Sequence, residues 1–575
     1  VPSLFFRKLR HHAPAFSVTR AGFSDSLLFP LKQRFPVKLN LSIFAGLVVT
    51  LLPVQAWQAD LGDGTYKNPV LFSDYSDPDV IRVGSDFYMV SSSFHYMPGI
   101  PILKSPDLVN WTIIGHVFPR LDISPEYNLV NGDRYGKGAW APAIRYHNNR
   151  FYVYFPTPQE GIFMTSAAKA EGPWDPIVTV IAKAGLEDPC PFWDDDGSAY
   201  LVHSLKGAGP LILHKMSPDG KTVLDDGKLI VSDKQNLPNL EGPKFYKRNG
   251  YYYILAPIRG VSGGWQAALR SKNIYGPYDY KILLTQGTTP TNGPHQGGYV
   301  ETPSGQGWFL HFQSKGAYGR ILHLEPVHWV DDWPLMGQPD PTHDDGYSAL
   351  PPAPDAVVGQ NAGGPIGQPV LTFKKPDTGT FPVQVPQTSD EFNSPILGLQ
   401  WQWNHNPDDQ HWSLTERPGY LRLKALPAPE LLRARNTLTQ MLNDPALDAT
   451  TSLDTTGMAD GQQAGLCMIS NPPGGIGVLR HDGKCAVYSF SGKNQSTGPD
   501  LTQTAIQLRV HIENQTATFF YSLDGSNFIS FGQPLKLVFS WWKGARPGLY
   551  SFNTDPTLKD SSGVADFDWF HYEPK

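Results

Sequence analysis

Five times in this chain a short aromatic strand is followed by a second strand and then by a turn holding Pro, Gly or Asp with an aromatic close behind. The strands read FYMVSSS from Phe87, FYVYFPT from Phe151, AYLVHSL from Ala199, YYYILAP from Tyr251 and WFLHFQS from Trp308; the turns read SPDLVNW, AEGPW, SPDG, IYGPY and DDWP. Units of about 50 to 60 residues, rich in β-branched and aromatic side chains and without a helical period, read as blades of four strands set around an axis. Radial repetition also protects the sheet edges. The pattern therefore predicts an all-β chain that opens with a five-bladed β-propeller, with a long β-sandwich of irregular hairpins as the alternative. The 55 Gly and 53 Pro, spread among many Tyr, Trp, Phe and Val, fit short strands joined by tight turns.

In a propeller the innermost strand of each blade faces the central funnel, and it lies just ahead of the aromatic strand. Three acids share that phase: Asp77 precedes Phe87 by ten positions, Asp188 precedes Ala199 by eleven, and Glu241 precedes Tyr251 by ten. The matching places in the other two blades hold Trp140, in GAWAPAI, and His295, in GPHQGGY. Three carboxyls facing one cavity cannot all stay ionised at ease, so one is expected to hold a proton while the others do not. An acid and a base side by side are what cleavage of a glycosidic bond requires. Phe94 and Trp140 supply a flat apolar wall for a sugar ring, and His295 and Arg320 are placed to hold its hydroxyls. The neighbouring Asp79, Glu187, Asp194, Asp195 and Asp196 are expected to be turn or solvated residues. One His in this phase, with no second ligand at metal spacing, does not make a transition-metal site.

These segments resemble glycoside hydrolase family 43, the β-xylosidases and α-L-arabinofuranosidases. YKNPVLFSDYSDPDVIRVGSDFYMVSSSF is similar to the opening of that family, GAWAPAIRYHNNRFYVYF to its second blade, and EDPCPFWDDDGSAYL to its third. LEGPKFY is similar to its fourth blade and GPHQGGYVETPSGQGWFLHFQ to its fifth. The resemblance implies Asp77 as general base, Glu241 as general acid, and Asp188 as the residue that raises and orients the acid. It implies inversion at the anomeric carbon, with Asp77 and Glu241 roughly 6.5 to 9.5 Å apart so that a water fits between base and sugar. It also places Arg320, Phe94 and Trp140 at the substrate. Some members hold calcium through the position of His295, so calcium is the one metal the resemblance suggests, and no cofactor is implied as obligatory. Invertase-like propellers fit poorly, since SDPDV and EGPKFY stand where they carry Asn-Asp-Pro-Asn and an acid before Cys.

Around this unit, residues 341–387 are rich in Pro, Gly, Asp and Ala and read as a linker between a propeller over 60–340 and a second domain over 388–575. The alternating strands of that second part resemble the concanavalin-like β-sandwich, a jelly roll, of family 43 β-xylosidases. Its Trp401, Trp403 and Trp412 read as core or interface aromatics ahead of a free-standing sugar site. A net charge of −6 with scattered basic residues leaves no footprint for nucleic acid. The expected partner is a pentose-containing oligosaccharide or polysaccharide. Residues 1–56 read as a leader: a basic stretch, then KLNLSIFAGLVVTLLPVQA, an export signal with cleavage after Ala56 and a start at Val37. The apolar run is shorter than the ~20 residues of a spanning helix, so a secreted or periplasmic protein without a membrane anchor is expected. Cys467 and Cys485 are either a disulfide in an oxidising compartment or two buried thiols, with Cys190 left over. An exo-acting hydrolase is the reading carried forward, with a non-catalytic sugar-binding propeller as its alternative.

Overall fold

The computed structural model describes residues 56–555, 557 and 563–575, so the leader and export signal expected from the sequence lie outside the described residues up to position 55. The described chain is all-β, with 3-10 turns at Pro125–Asn128, Gly316–Tyr318 and Leu431–Arg433. No helix in it is long and apolar enough to cross a membrane.

Five antiparallel sheets follow one another in sequence order. Blade one is built of Asp79–Val83, Asp86–Val90, Gly99–Ser105 and Thr112–Phe118, each paired to the next. Blades two to five occupy residues 143–181, 186–231, 244–284 and 295–336 in the same meander. The aromatic strands of the repeat are the second strands. Arg150–Thr157 and Tyr251–Ile258 are buried over most of their length on both faces, because each blade is sandwiched between two others. Separate hydrophobic clusters fill the seams: Val90, Ile102, Ile144 and Val153 between blades one and two, Tyr154, Met164 and Leu201 between two and three, Val202, Leu213, Phe245 and Ile254 between three and four. Leu255, Leu283 and Phe309 join blades four and five, and Val80, Met89, Leu310 and Leu324 join five back to one.

Among the described residues no strand is exchanged to close the ring. Blade five instead lies against blade one, and Gly298 in the GGY motif makes this approach possible. A Cβ there would stand 2.7 Å from the Val80 nitrogen. Leu71 and Leu322 form a further backbone bridge across the seam. Below the mouth of the funnel, Asp79 is fully buried and accepts from Arg145 (2.6 Å) and from the Ile144 amide (2.9 Å). Asp79 is thus a strut between blades and not the turn residue expected from the sequence.

The Pro/Gly-rich segment is also more than a spacer. Gly367–Gln368 adds to the outer edge of blade four, and Thr372–Lys374 pairs with Thr65–Lys67 ahead of blade one. Lys375 then pairs with Asp60 and, at 2.9 Å, with Asp107. The segment is a strap across blades four, five and one, which an extended Pro-containing chain can form because it asks for few ladder bonds.

Beyond it, two eight-stranded sheets pack face to face as a concanavalin-like sandwich. Trp401 and Trp403 are buried in its core, together with Phe72, Tyr318 and Ile321 of the propeller, so the two cores are continuous. The three cysteines are free thiols, with Cys190 and Cys467 buried.

Candidate active site

The acids stand where inner strands begin, because the strands there are irregular. Asp188 is the third residue of Leu186–Trp193, whose register to Ala199–Leu205 slips between Glu187 and Cys190. Asp77 and Asp188 take left-handed backbone (φ 55° and 57°), as does Gly242 after Glu241 (φ 58°). A bulge with a left-handed residue re-aims side chains that a regular strand would send to alternate faces. The result is one cavity of ≈ 190 Å³ that Asp77, Phe94, Trp140, Asp188, Glu241, His295 and Arg320 all line. Every site residue expected from the sequence therefore meets in one pocket. They do not all lie on the inner strands; Asp77, Trp140 and Glu241 lie just ahead of them.

Both oxygens of Asp77 are held: Ser92 Oγ donates to Oδ2 (2.6 Å) and Arg320 Nη1 to Oδ1 (2.6 Å). Asp188 Oδ2 accepts from Ser204 Oγ and from the Gly242 amide, each at 2.9 Å, and Gln296 Nε2 approaches Oδ1 at 3.3 Å. The Gly242 bond ties Asp188 to the backbone beside Glu241. Burial, then the charge of Glu241, pushes Asp188 up to about 6. Burial also raises Glu241, but His295, whose Nε2 stands 3.1 Å from Oε1, and Arg320 outweigh it and leave that carboxyl below its ordinary range. In the resting site the upward push thus falls on Asp188 and on Glu187, and not on Glu241 as the family resemblance implied.

Glu187 is the residue the sequence misplaced. It is 6% exposed and lines the cavity, and one of its oxygens lies within 4.8 Å of oxygens of Asp188 and Glu241. Asp194 is tied down by Lys247 and Tyr252, whereas Asp195 and Asp196 are exposed turn residues as expected.

Calcium, implied at His295, takes about six to eight oxygen ligands. His295 faces one carboxylate oxygen, its Nδ1 is buried without a partner among the described residues, and it is not part of the carboxyl cluster. These residues do not fit a protein-built calcium cage.

The remaining wall comes from the sandwich. Trp542 lines the cavity, edge-on to Trp140 at 5.9 Å, and Trp140 is edge-on to Phe94 at 6.1 Å. Trp541 and Trp542 both have left-handed backbone (φ 51° and 66°), a conformation that costs a bulky residue about 1 to 3 kcal/mol. The turn is held by reciprocal bonds between Ser540 and Lys543 and by Asp74, which accepts from the Gly544 amide (3.0 Å) and pairs with Lys543 (3.4 Å). Asp74 accepts the Arg320 amide as well (2.8 Å), and so sets the arginine that holds Asp77. Burial, opposed by Asp74, lowers Lys543 to about 8.

The profile described as Glycosyl hydrolases family 43 matches residues 66–334, and that of the Beta xylosidase C-terminal Concanavalin A-like domain matches 389–573. A putative beta-xylosidase of Xylanibacter ruminicola is 43% identical over 85% of this chain and 86% of its own length. A non-reducing end alpha-L-arabinofuranosidase of Bacteroides ovatus is 31% identical over 65% of this chain and 68% of its own. Among solved structures, a family 43 protein from Bacillus licheniformis superposes with a TM-score of 0.72 at 29% identity, over 88% of this chain and 99% of that one.

The carboxyl cluster stores instability that should be measurable. A carboxyl whose folded value lies above its unfolded one favours folding at low pH and disfavours it increasingly as pH rises from the unfolded value through the folded one. For Asp188 that window runs from 3.8 to about 6. Asp188→Asn should therefore be more stable than the native protein by about 1 to 2 kcal/mol above pH 6.5, with the difference closing towards pH 4. Urea unfolding at several pH values checks this.

Proposed function

The chain belongs to glycosyl hydrolases family 43, and we propose that it is an exo-acting, inverting enzyme that frees single terminal pentoses from xylan- or arabinan-type oligosaccharides. That it is a glycosidase of the β-xylosidase and α-L-arabinofuranosidase kind follows from the family. The observation that carries the finer reading is the small, walled cavity. At ≈ 190 Å³ it is well below the roughly 300 to 1,000 Å³ of common ligand clefts, which suits one ring and not a threaded chain. Trp542 supports exo-action, because an aromatic from the second domain walls the cavity beside Trp140.

In this mechanism the terminal ring packs against Phe94, Trp140 and Trp542. Asp77, held as an acceptor by Ser92 and Arg320, takes a proton from water as the water oxygen attacks the anomeric carbon. Glu241 gives its proton to the departing glycosidic oxygen. Asp188 fixes the backbone beside Glu241 through the Gly242 amide, and its own raised value helps to keep a proton within the carboxyl cluster that Glu241 belongs to. The higher identity to a β-xylosidase favours xylose over arabinofuranose as the sugar released. Export across a membrane, expected from the leader, belongs to the same proposal; a mature protein beginning at Trp57 on N-terminal sequencing supports it, and one retaining residues upstream contradicts it.

The test compares turnover of p-nitrophenyl β-D-xyloside and α-L-arabinofuranoside, with the xyloside expected to be faster. Glu241→Gln and Asp77→Asn should each lower kcat/KM on xylobiose by about 10³-fold or more. NMR of the first product formed should show α-xylose. β-Xylose as first product would remove the water-activating role of Asp77, and activity unchanged in Glu241→Gln would leave a sugar-binding propeller as the better reading.

A further inference from the structure

The mechanism uses Asp77, Asp188 and Glu241 and leaves Glu187 without a part. Its environment is nonetheless that of a working group. Consecutive amides of Gly207 and Ala208 donate to Oε1 (2.8 and 3.1 Å), which prevents the carboxyl from swinging out to solvent. It forms no ion pair among the described residues, although it is buried beside two other acids. The groups facing it are Asp188 on its own strand, Glu241 from blade four and Lys206 at the turn that supplies the two amides, with His295 and Arg320 across the cavity engaged by Glu241 and Asp77. Three carboxyls this close, with one cation-free member, retain a proton among them.

We propose that Glu187 is a fourth carboxyl of the reaction, a positioning residue that holds the proton shared with Asp188 and Glu241 and returns it to Glu241 once the leaving group has departed. The inference rests on the hydrolase reading above. In the return step the Glu187 O–H proton passes through a bridging water to the Glu241 carboxylate, against the hold of His295 and Arg320 on that carboxylate, and no carbon–oxygen bond changes. Glu187 then takes a proton from solvent, and Asp77 releases to solvent the one it took from water, so each turnover consumes one water and no net proton. Burial and the neighbouring Asp188 push Glu187 up to about 8, which is consistent with its keeping that proton through neutral pH.

Glu187→Gln keeps the acceptor for the Gly207 and Ala208 amides but cannot release a proton, which makes it the variant of choice. With three carboxyls sharing the proton, the alkaline limb of kcat/KM on xylobiose reflects loss of that proton; with two, it should move to lower pH by about one unit or more. At the native optimum, kcat on xylobiose should fall by about 10-fold or more, while turnover of an aryl xyloside with a good leaving group should fall less than about 3-fold. Glu187→Asp, which keeps a carboxyl, should restore the limb. An alkaline limb that stays in place in Glu187→Gln, or equal losses on both substrates, would reduce Glu187 to a structural acid and overturn the proposal. Infrared difference spectra between pH 6 and pH 9, recorded without substrate, decide the proton's location independently of activity. A protonated-carboxyl band that titrates in the native protein and vanishes in Glu187→Gln is expected, and its absence from the native protein overturns the proposal. If the band is present but no pentoside is turned over, the hydrolase reading fails while the shared proton stands.

Discussion

Asp74 performs no chemistry, yet the geometry of the pocket depends on it. Its carboxylate accepts the backbone amide of Arg320 from blade five and that of Gly544 from the sandwich, and it faces the buried ammonium of Lys543. One buried anion thereby fixes the arginine that holds Asp77 and the strained turn that carries Trp542 against Trp140. Such an anion is tolerable only because it is so fully hydrogen-bonded. Gly319, next to Arg320, leaves it room, since a Cβ there would stand 2.3 Å from the Asp74 carboxyl carbon. Propeller and sandwich are in this sense a single catalytic unit, and the continuous core through Phe72, Tyr318 and Ile321 makes the same point in packing.

The proposed chemistry draws on a conflict that the fold maintains. Blade packing buries the inner strands, and bulges at their starts turn Glu187 and Asp188 into the mouth beside Glu241. Burial and mutual repulsion push Glu187 and Asp188 up while His295 and Arg320 hold Glu241 down, and Arg320 and Ser92 satisfy Asp77 as an acceptor. In the proposed mechanism a base and a proton source are thus separated by their surroundings and not by residue type, since all four are carboxylic acids.

Much of this was legible in the sequence, for a reason that can be named. Each inner strand starts a nearly constant distance ahead of its aromatic strand, so the phase of the repeat alone collects Asp77, Trp140, Asp188, Glu241 and His295. Glu187 escaped because alternation along a regular strand sends adjacent residues to opposite faces, and the bulge cancels that rule. Asp79 escaped because its partner Arg145 lies on another blade, and no local pattern announces a pairing across a seam. Trp542 comes from outside the repeat altogether, and a Trp-Trp pair in a β-rich segment resembles core sequence until the turn is seen. The strap was misread because Pro and Gly disfavour regular strands but not extended edges, which are all that Gly367–Gln368 and Thr372–Lys374 supply.

In the proposed reaction the five blades and the sandwich enclose one terminal pentose between a base and an acid. A crystal structure of Glu241→Gln protein soaked with xylobiose tests it most directly. The expected result is the non-reducing ring seated among Phe94, Trp140 and Trp542, a water on Asp77 facing one side of the anomeric carbon, and the substituted side chain at position 241 reaching the glycosidic oxygen from the other. A disaccharide bound elsewhere, or lying across the mouth with neither acid near its glycosidic bond, would contradict it.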